Sequence, residues 1–363
     1  MKTTNSIFMK YESSGCSPSF VLSKEELLPD LDKFGVLVEI KACGLSLPLC
    51  DGINLCGVIR RVGRNRLPAG QDISGVVRGI GSDVITFKVG DEVTGIIPID
   101  YEQSGCAGYV VVQEFDLAIK HNNVTFVDAA GCIGECVRSY LALHYLGHLV
   151  SGDTVLVING ASAFGSICIQ LAHHWGAKVM TTCTTSDEKL YLQTLGQKIA
   201  HVIDMGDKSM LRATCMKATS NLGVNLVIDQ RKSFCPQSFR NISDIDSNIN
   251  KDEDFSSPSS HDIISCLAVG SHWITTNANL QLDPPHSRQL SMRCASIGFL
   301  FEQAWLLGST QQGKYQHILM DVVEKLSTRT IRPNIHHTIG PDALLEAWQE
   351  LGEVTVGKVV LTN

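Results

Sequence analysis

The sequence predicts an α/β protein of two domains, a small curved β-barrel and a doubly wound parallel sheet with helices on both faces. Three observations carry this. Short strand patterns punctuated by glycine fill the chain to about residue 126, and strand and helix signals alternate after it. The third is a complete βαβ unit, GDTVLVINGASAFGSICIQLAHHWGAKVMTT, from Gly152 to Thr182. A buried strand over Val155 to Ile158 enters a turn containing Gly160, Ala161, Ser162 and Gly165. An amphipathic helix is expected next, with Ile167, Cys168, Leu171 and Ala172 on one face and Gly176 at its end. A second strand follows over Val179 to Thr182. At 363 residues the chain is long enough for two cores.

In the first part, Val36 to Ile40 and Gly105 to Val112 read as strands. Gly70 to Ile96 is a series of strands with glycines at 75, 79, 81, 90 and 95. Single glycines in strand patterns mark the bulges and bends of a strongly curved barrel. From Asp128 the period changes, and Ala129 to Leu149 is helical in spacing. Strands are expected near 155–158, 179–182, 201–204, 225–229, 263–267 and 295–299. Such alternation gives an open, mostly parallel sheet, with any ligand at the carboxyl ends of its strands. Residues 231–261 are rich in Ser, Asp and Asn without apolar period and read as a long mobile loop. Residues 313–326 and 342–351 read as helices, and Gly357 to Leu361 as a terminal strand that returns to the first domain. The expected domains are therefore 1–126 with 334–363, and 127–333.

Composition excludes several classes. The chain is 44% hydrophobic and 18% charged, with no apolar run near 18 residues, so no membrane-inserted helix is expected. The N-terminus MKTTNSIFMKYESSG lacks a secretory apolar region. A formal charge of −7 argues against direct nucleic-acid binding. The 13 cysteines are scattered singly, without a CxxC pair, and read as reduced, small hydrophobes of a cytoplasmic protein.

The βαβ turn suggests a nicotinamide cofactor. A pyrophosphate there would meet unpaired amides and the positive end of a helix dipole. Gly160, Ala161, Ser162 and Gly165 are the candidate pyrophosphate residues, although Ser162 stands where the middle glycine of GxGxxG would let backbone approach the phosphates. NAD-selective folds place an acid about 20 residues beyond the glycine turn. Here the second strand ends in Thr181 to Ser186 with no acid before Asp187. Thr182 and Lys189 suit a 2′-phosphate instead, which favours NADPH over NADH. The same hydroxyl run also reads as a cap for the next helix, and both readings hold together. His144 and His148 stand four apart on a helix, but no third metal ligand is evident. Trp273 and Trp305 read as core or interface residues.

Four motifs resemble one family. They are Gly70-x-Asp72-x-x-Gly75-x-Val77, Gly90-Asp91-x-Val93, the βαβ turn and the terminal GKVVL. Together, from about residue 34 onward, they resemble the medium-chain dehydrogenase/reductase superfamily, in particular its zinc-free quinone oxidoreductase or zeta-crystallin branch. The resemblance implies a GroES-like barrel formed with the last strand, a Rossmann domain between, and a cofactor in the cleft. It implies hydride transfer from NADPH to a quinone or an α,β-unsaturated carbonyl, and homodimers joined through the strand near Ala295–Phe299.

Zinc-dependent members of the superfamily supply a Cys after the first barrel strand and a GHE motif. Here Ser46 stands at the Cys position and Gly70-Gln71-Asp72 replaces GHE; Cys43 and Cys50 flank the position without a histidine, so no zinc is expected. The branch also carries an Asn-x-x-Asp-like pair and a TAY motif. Ser46 and Leu49 stand at the first pair, and Arg138-Ser139-Tyr140 at the second motif. Ser46 and Tyr140 are the candidate catalytic residues, facing a substrate oxygen, while Tyr140 also reads as core. Arg138 either binds the cofactor phosphates or fills the nicotinamide pocket. The segments GASAFGSICIQLAHHWGAKV, HDIISCLAVGSHWITT and LQLDPP resemble quinone oxidoreductase-like members of the branch. That likeness implies a second function, a catalytically degenerate scaffold subunit of the endosomal FERRY Rab-effector complex. There it would join other protein subunits that link messenger RNA to early endosomes. The eroded site motifs leave both readings open.

Overall fold

The computed structural model describes residues 3–10, 19–46, 66–207, 209–230 and 257–363. Leu49, Cys50 and residues 231–256 of the expected mobile loop lie outside them. The chain divides into two compact units, one running to Arg138 and including Phe301–Asn363, the other Ser139–Leu300.

The first unit begins with β1 (Thr3–Lys10), β2 (Ser19–Leu27), β3 (Gly35–Leu45) and β4 (Arg66–Pro68). It continues with β5 (Asp72–Ile80), β6 (Glu92–Ile96), β7 (Tyr109–Gln113) and β8 (Leu117–Ile119). Strands β2, β1 and β4 form one small antiparallel sheet. The longest strand, β3, is buried along most of its length and pairs with both β5 and β7. Two register shifts in the β3–β5 pair supply the bends expected from the glycine pattern. Val36, Val38, Val77, Val93 and Val110 fill the core beneath.

Helix α1 (Phe126–Tyr140) follows β8. The Thr125 hydroxyl accepts the Asp128 amide at 3.0 Å at its start, and the helix runs into a π-helical turn over Leu141–Leu146.

Among the described residues, the second unit holds six parallel strands. They are β9 (Thr154–Val157), β10 (Lys178–Cys183), β11 (His201–Asp204), β12 (Val224–Asp229), β13 (Leu267–Thr275) and β14 (Ser296–Phe299). Their order is β11-β10-β9-β12-β13-β14, so the connections reverse direction between β9 and β12. Helices α2 (Ala163–His174), α3 (Ser186–Thr194), α4 (Ser209–Ala218), α5 (Ser260–Cys266) and α6 (Pro284–Met292) connect them. Two sequence expectations are corrected here. The strand expected near 263–267 is helix α5 instead, and the strand β13 follows it. Ser259 and Asp262 form a capping box that starts this helix, with the Ser259 hydroxyl accepting the Asp262 amide at 3.2 Å. Ile263 and Ile264 are both fully buried, and so short an apolar run has no period that separates helix from strand. Ser260 and His261, assigned to the expected loop, accordingly belong to this helix. Helix α2 is also not amphipathic, because Phe164 to Ala172 is buried on every side.

The chain returns to the first unit through α7 (Gln303–Leu306), α8 (Gln312–Ser327), β15 (Ile335–Ile339), α9 (Leu344–Glu350) and β16 (Lys358–Thr362). Strand β16 pairs antiparallel with β3 and parallel with β15, as the terminal GKVVL motif implied. The unit boundary falls at Phe301 rather than near 334. Helix α8 buries Tyr315, Ile318, Leu319, Val322, Val323 and Leu326 and packs against β8, which ties residues 301–333 to the barrel.

Candidate functional site

In the second unit the candidate site is the turn between β9 and α2. Asn159 takes a left-handed backbone (φ 60°), and its amide donates to the Thr182 hydroxyl at 2.9 Å. The Gly160 amide donates to the Thr182 carbonyl, and the Thr181 hydroxyl to the Val157 carbonyl at 2.8 Å. A side chain at Gly160 would fall on Thr181 Oγ1, so only glycine lets the turn lie this close to β10. Thr182 is thus buried and spends its hydroxyl on the turn itself. Ala161 is buried as well.

Ser162 is the N-cap of α2. Its Oγ accepts the Gly165 amide at 3.0 Å and lies 2.8 Å from both the Asn159 carbonyl oxygen and the Gln230 carboxamide. The substitution of the middle glycine therefore brings a helix cap, with no positive φ required (φ −61°). Gln230 directly follows β12, so this contact bridges the two strands between which the sheet reverses direction, where open α/β sheets bind ligands. Lys189, on α3, is half-exposed and stands 3.8 Å from Asp204 at the end of β11. The Thr185–Glu188 capping box starts α3, which is the capping role foreseen for the hydroxyl run.

Tyr140 is half-buried in an aromatic cluster of this unit. Its ring meets Trp175 edge-on at 5.2 Å and His144 at 5.4 Å. His148 instead faces His272 at 5.4 Å, so His144 and His148 do not converge. Trp273 is fully buried and donates to Asp229 at 3.2 Å.

In the first unit, a pocket of about 100 Å³ is lined by Ser46, Gln71, Asp72, Glu135, Arg138 and Glu302, among others. Ser46 is exposed at the end of β3. Gln71 donates its amide to the Ile97 carbonyl at 2.8 Å. Beneath the pocket lies a network of buried charges. Lys358 bonds to Asp72 and, at 3.3 Å, to Glu135. Arg138 bonds to Glu135 at 3.0 Å and lies 3.4 Å from Glu302. Gly134 makes room for this, since a Cβ there would meet the Asp72 carboxylate. Burial pushes the Asp72 carboxyl up despite Lys358. Burial also raises Glu135, but Lys358 and Arg138 outweigh it and hold that carboxyl below the usual range. Lys358 loses charge stabilisation to burial and regains more from its two carboxylates, so its ammonium is held. Arg138 is clamped by two carboxylates, a setting that opposes a further anion. Among the described residues no three His, Cys, Asp or Glu side chains are grouped to hold a metal ion.

No family model matches the sequence. Quinone oxidoreductase-like protein 1 of Mus musculus is 39% identical over 339 residues, covering 92% of each chain. The chain belongs to the quinone oxidoreductase-like branch of the medium-chain dehydrogenase/reductase superfamily. More distant relatives of this quinone oxidoreductase-like chain match over about half of its length. The 2-methylene-furan-3-one reductase of Solanum lycopersicum is 34% identical, with 52% of this chain and 50% of the relative covered. The chloroplastic NADPH-dependent alkenal/one oxidoreductase of Arabidopsis thaliana is 30% identical, with 54% of each covered. Among solved structures, an alcohol dehydrogenase superfamily protein from Novosphingobium aromaticivorans superposes with TM-score 0.78 at 22% identity, over 99% of this chain and all of the other. A putative NADPH:quinone reductase from Bacillus thuringiensis gives 0.77 at 16%, over all of both chains. These likenesses establish the Rossmann plus GroES-like fold.

Four site residues escaped sequence reasoning: Gln230, Glu135, Glu302 and Lys358. Two of them left a signal. Glu135 interrupts the apolar run Cys132, Ile133, Cys136, Val137, and Lys358 opens an otherwise apolar terminal strand. A charge in such a run needs a buried partner. Gln230 precedes Arg231 and Lys232 and left none, and Glu302, beside Gln303 just past the expected strand near 295–299, reads as an ordinary loop charge.

Proposed function

We propose that this chain is a zinc-free, NADPH-dependent reductase of quinones or α,β-unsaturated carbonyls. The observation that carries the reading is the turn into α2, placed where the sheet order reverses, with Gly160 pressed against β10. The backbone and the helix N-terminus suit a pyrophosphate. Ser162 is small enough to turn its hydroxyl toward the cap. Lys189 is half-exposed beside Asp204 at the end of β11, where its ammonium suits a 2′-phosphate, and no acid competes for a ribose hydroxyl at Thr181 to Ser186. NADPH, when bound, supplies the hydride. Of the two candidate hydroxyls, Ser46 is exposed at the end of β3 and would donate to the oxygen that gains charge on the substrate. The carboxylates around Arg138 favour a place in the pocket wall over a phosphate contact. The similarity to a 2-methylene-furan-3-one reductase and to an NADPH-dependent alkenal/one oxidoreductase supports the same substrate class.

Fluorescence titration should show NADPH binding more tightly than NADH. Lys189→Ala should reduce that preference about five- to tenfold, at the modest end for an exposed contact. Quinone-dependent NADPH oxidation should accompany binding. Equal affinities for the two cofactors would overturn the assignment of Lys189. The second reading is a catalytically degenerate scaffold subunit of an endosomal assembly; the Gln230 contact and the acid-clamped Arg138 support only its degenerate part, by opposing an anionic cofactor. No binding at millimolar NADPH, with stable co-purification of other subunits, would decide for it.

A further inference from the structure

Ser162 can donate only one hydrogen. When that hydrogen goes to the Asn159 carbonyl oxygen, Gln230 completes the pair by donating its amide to Ser162 Oγ; when it goes to Gln230, the Gln230 oxygen accepts. In both arrangements the Gln230 carboxamide stays at the mouth of the helix, 2.8 Å from the cap oxygen that receives the Gly165 amide. The carboxamide is polar, reaches across from the end of β12, and stands beside the amides that a phosphate would use. Ser162 thus does more than replace a glycine, since it supplies the oxygen that holds Gln230 in place. We infer that Gln230 sets the cofactor affinity of this chain by covering the pyrophosphate seat, and that a dinucleotide binds only after the carboxamide swings off Ser162. The inference rests on the nucleotide reading of the turn. Each binding event must break the Gln230–Ser162 bond, and the loss of one such bond corresponds to about two- to tenfold in affinity.

The test uses the full chain, with NADPH as the probe. Affinity is read by calorimetry and the stability of the cofactor-free protein by thermal melting. Gln230→Ala removes the cover and should tighten NADPH about two- to tenfold while lowering the melting temperature slightly. Gln230→Glu keeps the length, accepts the Ser162 hydroxyl, and places a carboxylate at a helix N-terminus. It should raise the melting temperature and weaken NADPH by more than tenfold, because the carboxylate is favoured there and repels phosphate. Unchanged or weaker binding by Gln230→Ala would overturn the gate and leave the nucleotide reading intact, with Gln230 then a ligand or a bystander. Failure of the wild type and of Gln230→Ala alike to bind millimolar NADPH would remove the nucleotide reading, and the gate with it.

Discussion

Replacing Lys358 with Met tests the buried network beneath the first-unit pocket. Lys358 is 4% exposed, and its two partners Asp72 and Glu135 are 7% and 6% exposed, so water cannot take over the role of the ammonium. Methionine fills a similar volume but leaves Asp72 without its cation and Glu135 with Arg138 alone. Breaking a buried pair by removing one partner costs about 3–5 kcal/mol. For a unit of roughly 200 residues, about 2–4 °C of melting temperature is lost per kcal/mol, hence roughly 6–20 °C. The loss should depend on pH. Asp72, which burial already pushes up beside Lys358, is held higher still without it, whereas Glu135 keeps Arg138. The protonated Asp72 carries no penalty below about pH 4, and the deficit grows as pH rises toward neutrality, by up to about 1.4 kcal/mol per pH unit. Melting curves of wild type and Lys358→Met at pH 5 and pH 7.5 measure this difference directly. Adding Asp72→Asn to Lys358→Met should recover part of the loss at pH 7.5. A Lys358→Met deficit below about 1 kcal/mol, or one equal at both pH values, would show that the ammonium is not what keeps these carboxylates ionised.

Burial raises the Asp116 carboxyl to about 7, against the Tyr101 hydroxyl that donates to it at 3.0 Å. Its contribution to stability is therefore fully present below about pH 4 and is lost as pH rises through about 7; Asp116→Asn, which keeps the acceptor oxygen, should flatten that part of the profile, by about 1.4 kcal/mol per pH unit. A melting profile unaltered by the substitution would reject this assignment. Gly160→Ala should destabilise the second unit by about 1–3 kcal/mol in denaturant titrations, because the new methyl falls on Thr181 Oγ1. Adding Thr181→Ala should recover part of it, and a Gly160→Ala chain as stable as wild type would refute the close approach. Elemental analysis of dialysed protein should find no stoichiometric zinc, since Ser46 and Gln71 offer neither thiolate nor imidazole. One zinc per chain would require a different ligand set.

The sequence by itself determined the two-part α/β architecture and the return of the last strand. Strand alternation, glycine punctuation and the βαβ period are local signals, and they persist whatever packs around them. It also located the turn at Gly160 to Gly165 and a helix cap within Thr182 to Ser186, which the structure places at Thr185. Residues 263–266 were misread because so short a buried run as Ile263-Ile264-Ser265-Cys266 looks the same in a helix and in a strand, and only the Ser259–Asp262 cap, closed in three dimensions, settled it. Tertiary structure alone decided the partners of the polar side chains. Lys358 meets Asp72 across 286 residues, and Gln230 meets Ser162 across 68. Arg138, open to opposite readings in the sequence, became a residue held between Glu135 and Glu302. A side chain's role depends on which groups share its low-dielectric surroundings, and residues so far apart in the chain are brought together only when the sheets close.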